Sequence, residues 1–328
     1  MNRISLSDLP RPPKDKSGWP WTQQVGLGDT GAGKAADWPS VSIVTPSYNQ
    51  GCFLEETIRS VLLQGYPNLE YFVIDGGSRD ESLEIIKKYA PWLTGWVSET
   101  DNGQTSAINK GLARSTGTVW AWLNSDDIYM PGAIFKGSKA LKEDPKMVLV
   151  YGDASWITEK SESFHLFSSG PLDARSLLTG TGGYGIPQAA AFMRRDVVVQ
   201  AGRLNEKLHM AIDYDLWIKL AFSGGLSYLP GVPMAGIRSH VNTKTRNRQL
   251  EAYLEDIQVI KDNLKHPQCP SGITLFGNAE YISANLGVAR YYLSKNMWLK
   301  AVPYMFKAAH ADFFHVMNRF YKYAIRKL

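Results

Sequence analysis

Three acidic clusters in the chain have the spacing of working carboxylates. Asn124-Ser125-Asp126-Asp127 closes an apolar run, residues 118–124, that reads as a strand. Two adjacent carboxylates at a strand end are costly unless water or a cation stabilises them. Hard oxygen ligands of this kind suit Mg2+ or Mn2+ bridging a diphosphate. A helix-capping turn ahead of Pro131 accounts for one of the two carboxylates and less well for both. Asp75 ends another apolar run, LEYFVID, and opens DGGSRD. Alone, it divides evenly between a turn residue and a ligand contact at the carboxyl edge of a parallel sheet. Taken with Asp126, the metal–diphosphate reading becomes the favoured one. Asp213 and Asp215 open a helix, where acidic residues serve as caps and dipole partners, so at least one should be structural. His240 lies between VPMAGIRS and a polar loop. A lone histidine is more often structural than ligating. These residues point to a nucleotide-diphosphate enzyme and leave the transferred group open.

The elements that must position these groups alternate. VSIVT, from Val41 to Pro46, reads as a buried strand, and residues 51–63 carry apolar positions at helical spacing. A strand at 69–75 is followed by a helix through SLEIIKKYA that Asp80 caps. A weak strand at 96–98, a helix at 103–114, the strand at 118–124, a helix with Pro131 in its first turn and a strand at 147–153 complete the series. This order implies a largely parallel α/β sheet flanked by helices. Beyond residue 153 the pattern loosens. Residues 188–196 read as a further strand, and 213–222 as a helix closed by Gly224 and Gly225. From about 245 the chain is helical, at 247–264, 274–295 and 297–325. Three parts are expected: an extended strap at 1–39 anchored by Trp19, Trp21 and Trp38, an α/β domain at 40–245, and a helical region at 246–328.

The composition is that of an ordinary globular protein: 328 residues, 44% hydrophobic and 20% charged. The formal charge is +5, but Lys and Arg are scattered, which argues against nucleic acid as a partner. Two cysteines, Cys52 and Cys269, make neither a disulfide framework nor a zinc set. Neither a signal peptide nor a membrane-spanning run is expected, which favours a cytoplasmic protein. Gly26, Gly28 and Gly31 fit a dinucleotide loop, and Gly28 with Gly33-Lys34 nearly fits a P-loop. Neither has the strand before it and helix after it that phosphate binding needs. The last segment, FFHVMNRFYKYAIRKL, places apolar residues on one helical face and most cations on another. It reads either as a packed helix or as a peripheral contact with an anionic membrane.

VSIVTPSYNQGCFLEETIRSVLLQGYPNLEYFVIDGGSRDES, followed by SETDNGQTSAINKGLARSTGTVWAWLNSDD, resembles the family 2 glycosyltransferases of GT-A fold over roughly residues 41–245. The resemblance implies an inverting transfer of sugar from a nucleotide-diphospho-sugar, with UDP or dTDP favoured and GDP also used in the family. It implies that Pro46 and Tyr48 line the nucleotide pocket, that Asp75 contacts the base, and that Asp101 and Asn109 lie near nucleotide and donor sugar. Asp126 matches the metal-binding residue of the D-x-D motif, Asp213 the catalytic base, and His240 a late histidine that completes a Mn2+ or Mg2+ site. Asn124 replaces the first Asp of D-x-D and offers a neutral oxygen to metal or sugar; Ile212 replaces the Glu before the base. The Q-x-x-R-W signature of processive synthases is absent, which implies addition of a single sugar to a glycan or lipid-linked acceptor in cell-surface polysaccharide assembly. Gln188 and Asp127 are assigned to an acceptor pocket or lid, as is the glycine-rich loop from Gly180 to Gln188. Two rivals stand beside this reading: a nucleotidyltransferase acting on sugar phosphates, and a non-catalytic nucleotide-sugar-binding protein. PSYNQG after the first strand has no basic residue, which weighs against the first.

Overall fold

The computed structural model describes residues 3–26, 37–181 and 185–312, and in it the alternating pattern folds into a seven-stranded and a four-stranded sheet. At the centre lies β1 (Val41–Ser47), buried along its whole length. β2 (Leu69–Asp75) pairs with it in parallel on one side and β4 (Val119–Trp122) on the other, while β3 (Gly95–Ser98) extends the sheet beyond β2. α1 (Gly51–Leu62), α2 (Ser82–Tyr89) and α3 (Gln104–Arg114) are the crossovers between them. Both faces of such a sheet are covered, so its strands read as nearly continuous apolar runs. β1 continues past the expected Pro46. The paired register of β4 stops at Val44, so the missing N–H of Pro46 falls beyond the ladder on that side.

After β4 come β5 (Ile128–Tyr129), β6 (Met147–Gly152), β7 (Ala154–Ile157), β8 (Ser163–Phe167), β9 (Ala191–Arg194), β10 (Gly225–Leu229) and β11 (Ala235–Arg238). β10 pairs with β6 and β11 with β7 in parallel, while β5–β11, β7–β8 and both neighbours of β9 are antiparallel. The large sheet runs β10-β6-β9-β4-β1-β2-β3 and the small one β5-β11-β7-β8. β9 is antiparallel to both β4 and β6. It is shorter than expected, because Gln188–Ala190 forms a 3-10 turn and α6 (Arg195–Gln200) starts directly after it. α4 (Ala133–Glu143) begins two residues beyond Pro131, with Gly132 at its N-cap in the left-handed region at φ 79°. Pro131 therefore belongs to the preceding turn.

The N-terminal strap is held by a buried cation. The Arg59 guanidinium, on α1, is fully buried and donates to the carbonyls of Pro10, Pro20 and Trp21 and to the Tyr89 hydroxyl. It also lies against the Trp21 ring. The Trp19 indole donates to Tyr129 O, and Trp38 packs edge-on against Phe135.

α5 (Ala174–Thr179) and α7 (Ile212–Ser223) join the α/β layer to the helical tail, which comprises α8 (Lys244–Asn247), α9 (Gln249–Asn263), α10 (Ala279–Ser294) and α11 (Trp298–Ala311). The tail has its own small core around Ile257, Ile260, Ile282 and Val288, and Tyr214 packs against both cores. Polar ties reinforce the joint. Asn278 caps α10 by accepting from Tyr281 N and donates to Leu178 O, while Asn263 donates to Asp215. Among the described residues no helix is long and apolar enough to cross a membrane. The near-motif glycines from Gly28 to Gly33, the middle of the Gly180–Gln188 loop and the amphipathic segment 313–328 lie outside the described residues.

Candidate active site

The carboxyl ends of β1, β2 and β4 form one edge, and the loops leaving it are stitched together. Asp75, completely buried, accepts from Gly77 N, Ser78 N and Ser98 Oγ through Oδ2 and from Ser78 Oγ at 2.5 Å through Oδ1. Its carboxylate thus shapes the DGGS turn. Asn49, at φ 52°, accepts from Arg79 N through its side-chain oxygen and donates its own backbone N–H to Ser78 Oγ. Asp80 accepts from Gly51 N and Ser82 N, so it ties the starts of α1 and α2 together. These bonds lower its pKa below the usual carboxylate value against the opposing cost of burial. Tyr48 projects from this edge and is 62% exposed.

The Asn124–Asp127 turn splits its two carboxylates into different environments. Asp127 is buried, accepts the Arg238 N–H at 2.9 Å and meets the Asn124 amide at 3.3 Å. Burial and the neighbouring Asp126 charge push its pKa well above the carboxylate range. The Asp126 side chain is 21% exposed, and its Oδ2 lies 3.0 Å from Nε2 of the buried His240. Arg238 organises the turn. Its Nε donates to Asp126 O, its outer nitrogens to Thr158 O, Glu159 O and Ser161 Oγ, and it faces Glu56 at 3.3 Å. Its guanidinium also stacks 4.8 Å from the Phe53 ring, which packs against His240 as well.

A polar chain leads from this turn to α7. Gln104 donates to Asn124 Oδ1 at 2.8 Å and accepts from the Lys244 ammonium at 3.0 Å. Lys244 also donates to His209 O. Burial lowers the Lys244 pKa and raises that of Asp213, whose charge Lys244 partly offsets. Asp213 is half-buried at the start of α7 and accepts from Tyr214 N. Glu255, from α9, accepts the N–H groups of His209, Met210 and Ala211, which fixes the backbone leading into α7.

The profile of Glycosyl transferase family 2 matches residues 42–200. An uncharacterised glycosyltransferase of Rickettsia prowazekii is 30% identical over 278 residues, 80% of this chain and 82% of the relative. The chain belongs to glycosyl transferase family 2. A PGL/p-HBAD biosynthesis glycosyltransferase of Mycobacterium bovis is 30% identical over 185 residues, 55% of this chain and 69% of that protein. Among solved structures, S. aureus TarS 1-349 in complex with UDP-GlcNAc superposes with a TM-score of 0.57 at 14% identity, covering 82% of this chain and 81% of that one. The mannosyltransferase PcManGT of Pyrobaculum calidifontis, in complex with GDP-Man and Mn2+, gives 0.59 at 19% identity, covering 90% and 82%. At these identities the likeness shows the GT-A fold. Sugar transfer, rather than nucleotidyl transfer, is the chemistry of this family.

Within this transferase the expected site residues have unequal freedom. Asp126 and His240 come together, and Asp75, Pro46 and Tyr48 share the sheet edge beside them. Asp101 accepts from Gly103 N, and its carboxylate lies against Gly76, where an added Cβ would stand 3.1 Å from it. The Asn109 amide holds the loop beyond α6: it donates to Leu204 O and Glu206 and accepts from Leu204 N. Asn124 is likewise engaged on Gln104, Asp127 and Gln188. Asp127 is buried and bonded to Arg238 N and the Asn124 amide. Gln188 donates to Trp122 O and accepts from Asn124, so it latches the 3-10 turn to β4. Asp215 pairs with Lys219 at 2.5 Å and with Asn263, a structural role. Arg238, Gln104, Lys244 and Glu255 were not singled out by sequence. Only the alternation of VPMAGIRSH, which puts Arg238 and His240 on one strand face, carried a trace of them.

Among the described residues no group of three or more His, Cys, Asp or Glu side chains is arranged to hold a metal. Asp126 and His240 provide one oxygen and one nitrogen donor at a partly open position. Mg2+ and Mn2+ take most of their remaining ligands from water and substrate phosphates. The pair therefore fits a divalent cation that arrives with a diphosphate, and its imidazole suits Mn2+ better than Mg2+.

Proposed function

We propose that the protein is an inverting transferase that moves one sugar from a UDP- or dTDP-sugar onto a hydroxyl of a glycan or lipid-linked acceptor, in cell-surface polysaccharide assembly. A GDP-sugar is the alternative donor, as in the Pyrobaculum neighbour. The observation that carries the reading is the Asp126–His240 pair, 3.0 Å apart and part-exposed at the carboxyl edge of a GT-A sheet. Asp126 and His240 would hold Mn2+ or Mg2+, which when bound supplies positive charge to a departing diphosphate. Asp213 is the base. It takes the proton of the acceptor hydroxyl as that oxygen bonds to the anomeric carbon and the bond to the diphosphate breaks. The single displacement inverts the anomeric centre. The DGGS turn built on Asp75, with the exposed Tyr48 ring beside it, receives the nucleoside.

The test is donor hydrolysis and thermal shift with a panel of nucleotide sugars, with Mn2+ and with chelator, on the wild type and Asp126→Ala. One nucleotide should stabilise the wild type only with metal, and the variant should lose that effect while keeping its fold. Equal, metal-independent binding by both proteins would remove the metal assignment. No binding at all would leave a protein of this fold without the activity.

A further inference from the structure

α11 turns its large apolar side chains outward. Its inner side, packed along α10, is built from small residues, with Ala301, Ala308 and Ala311 buried. Ala311 O accepts from Gly277 N at 2.9 Å, which ties the end of the helix to the turn before α10. On the opposite side Leu299 is 91% exposed, Phe306 71%, Trp298 65% and Val302 41%. At about 100° of rotation per residue these four span about 100° of the helix surface. That is the width of the stripe an ordinary surface helix turns toward its core. Single exposed apolar residues need no account, but a contiguous face does.

The charge around this face has one sign. Lys307 and Lys300 follow Leu299 around the helix, and their ammonium groups lie over the Tyr304 and Tyr292 rings at 4.8 Å and 5.9 Å. From Tyr281 to Ala311 the chain carries Arg290, Lys295, Lys300 and Lys307 and no Asp or Glu. A second copy of the face would therefore set lysine against lysine. The segment after Asp312, FFHVMNRFYKYAIRKL, is itself cationic and has no Asp or Glu to offer. An anionic bilayer supplies both halves of the complement. Its headgroup boundary takes up apolar and indole side chains, and its phosphates attract the lysines.

We propose that the outer face of α11 docks the protein on an anionic lipid bilayer, with Trp298, Leu299 and Phe306 entering the headgroup boundary and Lys300 and Lys307 meeting lipid phosphates. The inference uses no residue of the candidate active site and stands apart from the sugar-transfer reading. The face cannot be satisfied by rolling the helix inward, because Ala301 and Ala308 already fill the seam with α10 and are fully buried. α10 is in turn held to the α/β layer by the bond from Asn278 to Leu178 O. Docking through α11 therefore sets the orientation of the whole molecule at the surface.

The experiment is co-sedimentation of the full chain with vesicles of phosphatidylcholine alone and of phosphatidylcholine mixed with phosphatidylglycerol. The wild type should pellet with the mixed vesicles, little with the neutral ones, and be released as salt is raised. Leu299→Ser and Phe306→Ser should each weaken partition by at least about tenfold, the loss of one inserted apolar side chain. Lys300→Gln combined with Lys307→Gln should weaken it by about thirtyfold on the mixed vesicles. All four side chains are exposed, so urea unfolding of the variants should match the wild type. Absence of pelleting, or equal and salt-insensitive pelleting with both vesicles, would overturn the proposal. Variants that pellet like the wild type would also overturn it and move the contact to other residues, 313–328 included. Sedimentation velocity without lipid tests the rival occupant: self-association that Leu299→Ser abolishes would make the face a contact between copies and overturn the lipid assignment.

Discussion

Asp256→Asn should make the protein more stable, by an amount that grows with pH. Burial, followed by the charges of Glu280, Asp213 and Glu255, raises the Asp256 pKa from 3.8 to about 8. Between those values the folded protein keeps a proton that the unfolded chain has released. Stability therefore falls as pH rises, by about 1.4 kcal/mol per unit for one proton, and the loss ends once the folded state also ionises near pH 8. The substituted amide never ionises, so the variant lacks this slope. Across about three pH units the two stability curves should separate by up to about 4 kcal/mol and then run parallel. Urea unfolding of both proteins, at steps from about pH 5 to pH 9, measures the gap. A gap that does not change with pH would refute the reasoning, because it would mean that Asp256 ionises in the fold as it does in the open chain.

Asp213→Asn should lower the transfer rate by about two to four orders of magnitude with donor affinity unchanged, measured as kcat and KM for the donor. Because burial raises the pKa of Asp213 and the base acts deprotonated, wild-type rate should climb with pH through a value above the ordinary carboxylate range, a limb that the variant lacks. Arg238→Met should cost about 3–5 kcal/mol in urea unfolding, since it strands the buried Glu56 carboxylate. It should also weaken Mn2+-dependent nucleotide binding, because the Asp126 turn loses its clamp. His240→Ala should weaken that binding without comparable loss of stability, since His240 contacts the turn through a single ring nitrogen. A peripheral membrane contact through residues 313–328 would show as salt-sensitive pelleting with anionic vesicles, absent from a chain ending near Ala309.

The sheet was legible where burial on both faces wrote uninterrupted apolar runs, as at Leu69–Asp75, whose limits match the strand. The short strands Ala154–Ile157 and Ser163–Phe167 carried no such signal, because one is brief and the other largely exposed. At the site, residue types pointed to Asp126 and the family resemblance to His240, but neither gave the direction of neighbouring side chains. That Asp127 bonds to Arg238 N and Asn109 to the loop at Leu204 could not be read from their residue types or their motifs. Glu255 and Asp256 were invisible for a different reason. Their importance comes from a contact between segments more than forty residues apart in sequence, and one acidic pair on a polar helix looks like a solvated face.

The hold of Glu255 on the backbone before α7 has a consequence for recombining relatives. A chimera joined near residue 246 would take α7 from one parent and its clamp from the other. The foreign tail would have to place a carboxylate opposite His209, Met210 and Ala211, an amide opposite Asp215 and another opposite Leu178. Exchanges that keep α5, α7, α9 and the start of α10 together carry these matched pairs as one block. That block would then pass between family members as a single inherited cassette, separate from the carboxyl edge of β1, β2 and β4.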